Sequence, residues 1–177
     1  MSFQQYVRDS EHFYDQCRAA FAKGNAANGH RCAIASVLFA FMAIESLINN
    51  MMEDFASLPE GLFTVHERGF LEEHSVQFES SGQNAGDFIL TNRREYKSLE
   101  DKILFLIAKF SGGSKLDKGA GLWQKFEQSK EIRDRLSHPR KDSTPTLCTE
   151  DAETALYVAK EIIQLVSTKV WKQRVQF

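Results

Sequence analysis

The chain has 177 residues, 42% of them hydrophobic and 26% charged, which excludes a disordered or fibrous protein and makes one hydrophobic core the usual outcome. Its formal charge of -2 excludes a protein that coats nucleic acid non-specifically, because that affinity needs a dense cationic face. Three prolines, and 14 phenylalanines against 10 glycines, leave few chain breakers and favour long helices over a many-turned β fold.

From Phe3 to Lys23 the apolar residues recur at three- and four-residue spacings, the stripe of an amphipathic helix. The loop GNAANG (Gly24 to Gly29) follows. Between Cys32 and Ile48 (CAIASVLFAFMAIESLI) nearly every residue is apolar, so this helix must be covered on most of its circumference and forms the central core element. It is shorter than the ~20 residues that cross a bilayer and carries Glu45 inside it, so no membrane span is expected. Residues 56 to 98 read as an insertion, with a short helix from Leu62 to Glu73 and a polar loop, SSGQNAGD.

A third core helix spans Tyr96 to Phe110, with Ser98 as N-cap and Asp101 at the capping-box position. Ser111 to Gly121 is a glycine-rich linker that lacks the GxxxxGK[ST] order of a phosphate-cradling loop. The fourth helix, Leu122 to Ser137, should stop at His138 because Pro139 disfavours helix in the residue before it. After the loop KDSTPTLC, Thr149 is the expected N-cap of a last helix running to about Arg174. The expected fold class is therefore all-α: an up-and-down bundle of four to five helices in one domain, 1–177, with a helical and loop insertion between the second and third core helices.

Cys17, Cys32 and Cys148 are odd in number and far apart, so they read as buried thiols in a reducing compartment. The first residues, MSFQQYVRDSEHFYDQ, have no apolar signal region, and the expected location is cytoplasmic. His66, His74, Glu72 and Glu73 form no metal-ligand spacing, so neither a metal nor a cofactor is expected. No nucleophile-elbow context accompanies the Ser, His and Asp residues.

Chemistry concentrates in Glu131 to Pro139 (EIRDRLSHP). Asp134 and His138 are four apart on one helix face, where the carboxylate can orient the imidazole. Arg133 lies about 140° around the axis from His138, but distortion at the helix end can bring them together. The two suit a phosphodiester: a guanidinium neutralises charge developing on a pentavalent phosphorus, and an imidazole takes the proton of a ribose 2′-hydroxyl. The plainer alternative is that both residues cap carbonyls at the helix end. Arg68 to His74 (RGFLEEH) matches the same bare spacing, with Gly69 instead of a polar residue after its Arg.

Arg133, the polar Asp134 and His138 near the end of a bundle helix resemble the signature of the HEPN superfamily. Phe41 to Asn49 (FMAIESLIN) resembles that family's core helix with its buried acidic residue. Ser98 to Ile103 (SLEDKI) is similar to a segment commonly found before the signature helix. The resemblance covers about half the chain, and Leu62 to Asn92 is unmatched.

It implies a metal-independent endoribonuclease in which His138 is general base or acid, Arg133 stabilises the phosphorane, and Asp134 and Ser137 orient or hydrogen-bond around them. It also implies a homodimer whose two Arg/His pairs face one groove able to grip RNA. Arg135, Arg140 and Lys141, and the run Arg93, Arg94, Tyr96 and Lys97, are candidates to line that groove, and Trp171 with Lys169, Lys172 and Arg174 can stack and contact phosphate. Glu45 needs a partner if buried, and Arg133 is the expected one, since the core and signature helices should be neighbours. A toxin or defence role with a protein antitoxin or regulator is compatible with the family. Toxin members often carry a modifiable Tyr two residues after the His, and here that position is Arg140. The alternative from another class is a non-catalytic helical module that binds RNA, a nucleotide or a protein partner through the same groove.

Overall fold

Ser2 sets the point at which the chain becomes helical. Its hydroxyl accepts the Gln5 amide at 3.4 Å, which makes Phe3 the first residue of α1 (Phe3–Ala22). Gly24, with φ +72°, turns the chain out of that helix. The Asn25 side chain then accepts the Asn28 amide at 3.1 Å, so α2 (Ala26–Ala56) begins inside the stretch expected to be loop. The remaining elements are α3 (Val65–Leu71), β1 (His74–Phe78), β2 (Phe88–Arg94), α4 (Leu99–Phe110), α5 (Gly121–Ser137) and α6 (Thr149–Val166), which runs on into a π-helical turn, Ser167–Trp171.

This computed structural model describes residues 2–59, 61–113, 116–119, 121–138 and 145–177. Helix α5 stops before His138 as expected, and Pro139, Arg140 and Lys141 lie outside the described residues. The chain forms two compact units: Met1–Leu47 with Ile107–Phe177, and Ile48–Leu106.

In the first unit α6 packs against α1 and α5. Helices α1 and α2 are clasped by two buried serines: Ser10 Oγ donates to the Ser36 carbonyl at 2.9 Å and Ser36 Oγ to the Ser10 carbonyl at 3.0 Å. Each hydroxyl thus enters the core with a partner, as burial requires. The aromatic centre is Phe41 of α2 with Phe126 and Trp123 of α5, at centroid spacings of 6.0 Å and 4.9 Å. The Trp123 indole N–H is satisfied by Glu127 Oε1 at 2.7 Å.

Two expectations for this unit need correction. The run Cys32 to Ile48 is only the middle of α2, whose 31 residues make it long and apolar enough to cross a membrane by length and composition. Its length therefore does not set α2 apart from a membrane span. What α2 does here is fill a core: Val37, Ala40, Phe41, Ile44 and Leu47 are all buried in protein. The N-cap of the last helix is Cys148 rather than Thr149, because Asp151 accepts the Cys148 amide at 2.8 Å and the Cys148 thiol at 3.1 Å. The helix gives way at Val166 to the π-helical turn, which ends at Lys172 with φ 57°. Cys17 is buried as expected, and burial raises its thiol pKa, but Cys148 is exposed.

The second unit holds the part of the chain that sequence patterns describe least. Thr64 and Glu67 form a reciprocal capping box, so α3 starts at Val65 rather than Leu62. The polar loop SSGQNAGD is present as expected, but the residues on either side of it form an antiparallel hairpin pairing Val76 with Leu90, Gln77 with Ile89 and Phe78 with Phe88, and shifting register before His74 meets Arg94. Ser75 and Thr91 hydroxyls bond across it at 2.6 Å. Helix α4 begins at Leu99, with Ser98 as its cap: Ser98 Oγ accepts the Asp101 amide at 3.1 Å and donates to its carboxylate at 2.7 Å.

Gly69 is where α3 meets the hairpin. A Cβ there would sit 2.6 Å from Val76 Cγ2 and 2.9 Å from the His74 carbonyl oxygen. Alanine is the better helix former by about 1 kcal/mol, so propensity and packing oppose each other at this position. Because one of the blocking atoms is backbone, packing wins: Gly69→Ala should lower stability by roughly 1–3 kcal/mol, read as a lower urea midpoint. A midpoint at or above that of the parent would show that α3 does not touch the hairpin in this way.

Candidate functional site

Helix α5 carries Phe126 and Arg133 seven positions apart, two turns along one face. Phe126 enters the core against Phe41, and Arg133 reaches the same ring further along, its guanidinium carbon 5.3 Å from the Phe41 centroid. One turn on from Phe41 in α2 stands Glu45, and its Oε1 pairs with Arg133 Nη2. The expected Glu45 to Arg133 contact is present. Glu45 is half-buried rather than enclosed, at the margin of a stripe in which Ile44, Leu47 and Ile48 are buried.

The charge pattern continues along α5. Arg133 Nη1 meets Asp134 Oδ1 at 3.0 Å, and Asp134 Oδ2 meets Lys130 Nζ at 3.2 Å. Glu45, Arg133, Asp134 and Lys130 thus form an alternating chain of two anions and two cations. The Arg133 side chain is 19% exposed, and its Nε is buried without an acceptor among the described residues. Each terminal nitrogen carries two hydrogens and meets one carboxylate, so one hydrogen on each is left for a further acceptor.

His138 follows the last helical residue, Ser137, and both are exposed. Its backbone N–H donates to the Asp134 carbonyl at 2.9 Å, closing the final turn of α5. The expectation that the Asp134 carboxylate orients the His138 imidazole is not met. That carboxylate is shared by Arg133 and Lys130, and Asp134 holds His138 through the main chain. Arg135 is exposed and Arg140 lies outside the described residues.

Sequence reasoning missed Phe41 as the platform under Arg133 and Lys130 as the second cation on Asp134. Both had signals: Phe41 stands four residues before Glu45, and Lys130 four before Asp134, the spacing of helical neighbours.

The second match to the spacing, Arg68 to His74, is built differently. Arg68 Nη1 donates to the Ala56 and Leu58 carbonyls at 2.9 Å and 3.0 Å, and its Nε pairs with Glu72 at 2.8 Å. It is a capping arginine at the end of α2. Of the other candidate cations, Lys97 pairs with Glu95 and lies 5.5 Å from the Phe70 ring centroid. Lys172 Nζ donates to the Lys169 carbonyl at 2.8 Å. Arg93, Arg94 and Tyr96 are exposed. Among the described residues no three His, Cys, Asp or Glu side chains are grouped to hold a metal ion.

Comparison of the chain with family profiles, with curated proteins and with solved structures returns no match.

A double-mutant cycle tests whether the Glu45 and Arg133 pair holds in solution. Glu45→Gln, Arg133→Gln and the double variant should give a coupling energy of about 0.5–1.5 kcal/mol, above an exposed surface pair because Arg133 is mostly desolvated. Additive single effects in urea unfolding would mean that the two side chains are independent.

Proposed function

We propose that this chain is a metal-independent endoribonuclease of HEPN type, with an up-and-down helical core and a homodimeric groove. The observation that supports it is the arginine of EIRDRLSHP held against Phe41 by Glu45, one helix end away from an exposed His138. A guanidinium fixed on two sides needs little reorganisation when charge develops beside it, which is the condition for electrostatic stabilisation of a transition state.

In this reading the His138 imidazole removes the proton of a ribose 2′-hydroxyl. The freed oxygen attacks the adjacent phosphorus, and the bond to the 5′-oxygen breaks as that oxygen takes a proton from water, with His138 returning its own proton to solvent. The products are a 2′,3′-cyclic phosphate and a 5′-hydroxyl. Arg133 offers its remaining terminal hydrogens to the phosphorane oxygens, and Ser137 hydrogen-bonds beside them. Arg135 and Arg140 contact the backbone of the strand. A cytoplasmic toxin or defence effector under a protein antitoxin or regulator is the setting that fits this activity.

A second reading has its own observation. The chain Glu45, Arg133, Asp134 and Lys130 is balanced in charge, and Arg133 is 19% exposed, so the arginine also suits a helical module that binds RNA, a nucleotide or a protein partner without cleaving it.

Incubation of the homogeneous protein with a mixed RNA pool in EDTA separates the two. Cleavage should occur, His138→Ala should lower its rate about 10²–10⁴-fold, and Arg133→Ala should lower it about 10²–10³-fold. RNA retained on a filter but left intact by the parent protein would favour the second reading, and cleavage undiminished in His138→Ala would defeat the first.

A further inference from the structure

Within the second unit, Ile48–Leu106, lies a polar cavity of about 410 Å³, in the size range of small-molecule sites. Its walls come from the end of α2, the junction of α3 with β1, the end of β2 and the first turn of α4. Several charged groups of the lining already have partners. Glu72 is held by Arg68. Glu73 Oε1 accepts the Lys97 amide and Lys102 Nζ, each at 3.0 Å, and Lys102 Nζ also donates to Asn49 Oδ1 at 3.0 Å. Lys102 is 12% exposed, so this arrangement is a desolvated anchor rather than a surface pair.

The backbone at Glu73 reinforces it. Its φ of 54° is left-handed, a conformation that costs a non-glycine residue on the order of 1 kcal/mol and persists where surroundings impose it. Here the Glu95 amide on the Glu73 carbonyl, at 2.8 Å, and the carboxylate contacts impose it. Burial works against the charged carboxylate of Glu73, but the Lys97 amide, Lys102 and the charge of Arg94 outweigh it and hold its pKa below the ordinary value. Glu73 stays ionised and keeps Lys102 in the wall.

The groups that remain are mostly donors. His74 and Arg94 face each other across the hairpin, and among the described residues neither side chain has a hydrogen-bond or ion-pair partner. Lys102 retains its third hydrogen and Asn49 its amide NH₂. Among the described residues the one carboxylate of the lining without such a partner is Glu53, and Met52, Ala56 and Leu71 supply an apolar surface. Donors arriving from separate elements suit a tetrahedral anion with oxygens on several sides better than a planar carboxylate, which a single arginine fork satisfies.

We propose that this cavity binds a small phosphomonoester, with Arg94, His74 and Lys102 on the phosphate, the organic body on Met52, Ala56 and Leu71, and Glu53 accepting a hydroxyl. The site is independent of the ribonuclease reading.

Titration calorimetry on the full chain tests it with ribose 5-phosphate, inorganic phosphate, ribose and malonate. Ribose 5-phosphate should bind, inorganic phosphate should compete with it more weakly, and ribose and malonate should give no heat. Arg94→Ala, at an exposed position, should weaken ribose 5-phosphate about tenfold or more, the effect of losing one charged hydrogen bond. His74→Ala should weaken it as well, and His138→Ala should leave it unchanged. No binding of either phosphate, equal binding of malonate, or affinity unaffected by Arg94→Ala would overturn the proposal.

Discussion

A guanidinium cannot shed its charge when a helix carries it to the edge of a core, and the region around Arg133 is organised by that constraint. Desolvation on one side is offset by the face of Phe41, and the charge is matched by Glu45 and Asp134. Removing either carboxylate would leave a partly buried cation with less compensation, the situation in which ionic contacts matter most. The same arrangement fixes the rotation of α5. Once Phe126 and Arg133 both address Phe41, Trp123 turns inward and His138 is left at the exposed end. Core packing and the candidate chemistry are therefore set by one ring and one carboxylate of α2.

Helix α2 has this role because of a periodicity within an almost uniformly apolar run. Phe41, Glu45, Asn49 and Glu53 follow one another at four-residue intervals, a single stripe along the helix. Phe41 and Glu45 supply the platform and partner of Arg133, and Asn49 and Glu53 line the polar cavity. The opposite positions, such as Ala40, Ala43 and Ile44, are buried with no polar atom in their side chains. Where a polar side chain of this helix is fully buried, as at Ser36, it has a partner.

The helical part of the fold was legible because its signals are local. Ser98 with Asp101, and the stripe of α1, each specify an element within a few residues, and they were read correctly. Glu45 and Arg133 were paired in advance because a carboxylate within an apolar run calls for a cation, and the core and signature helices were expected to be neighbours. The hairpin was not legible. His74 to Phe78 and Phe88 to Arg94 are short, half-exposed and separated by a long polar loop, and no two-residue turn announces their pairing. The arrangement that anchors Glu73 depends on tertiary contacts with Lys97 and Lys102, which spacing in the chain does not encode. Asp134 was assigned to His138 because both lie on one face, but Lys130 lies on that face too, and a cation outcompetes an imidazole for a carboxylate.

If Arg133 and His138 act as proposed, cleavage requires the ribose 2′-hydroxyl beside the broken phosphodiester. The most direct measurement uses an oligoribonucleotide cleaved by the protein in EDTA, and the same oligomer with a single 2′-deoxy substitution at the cleaved position, with end groups read by mass spectrometry. The account predicts a 2′,3′-cyclic phosphate and a 5′-hydroxyl from the first, and an intact bond at the substituted position in the second. Cleavage at the deoxy position, or products ending in a 5′-phosphate, would contradict it.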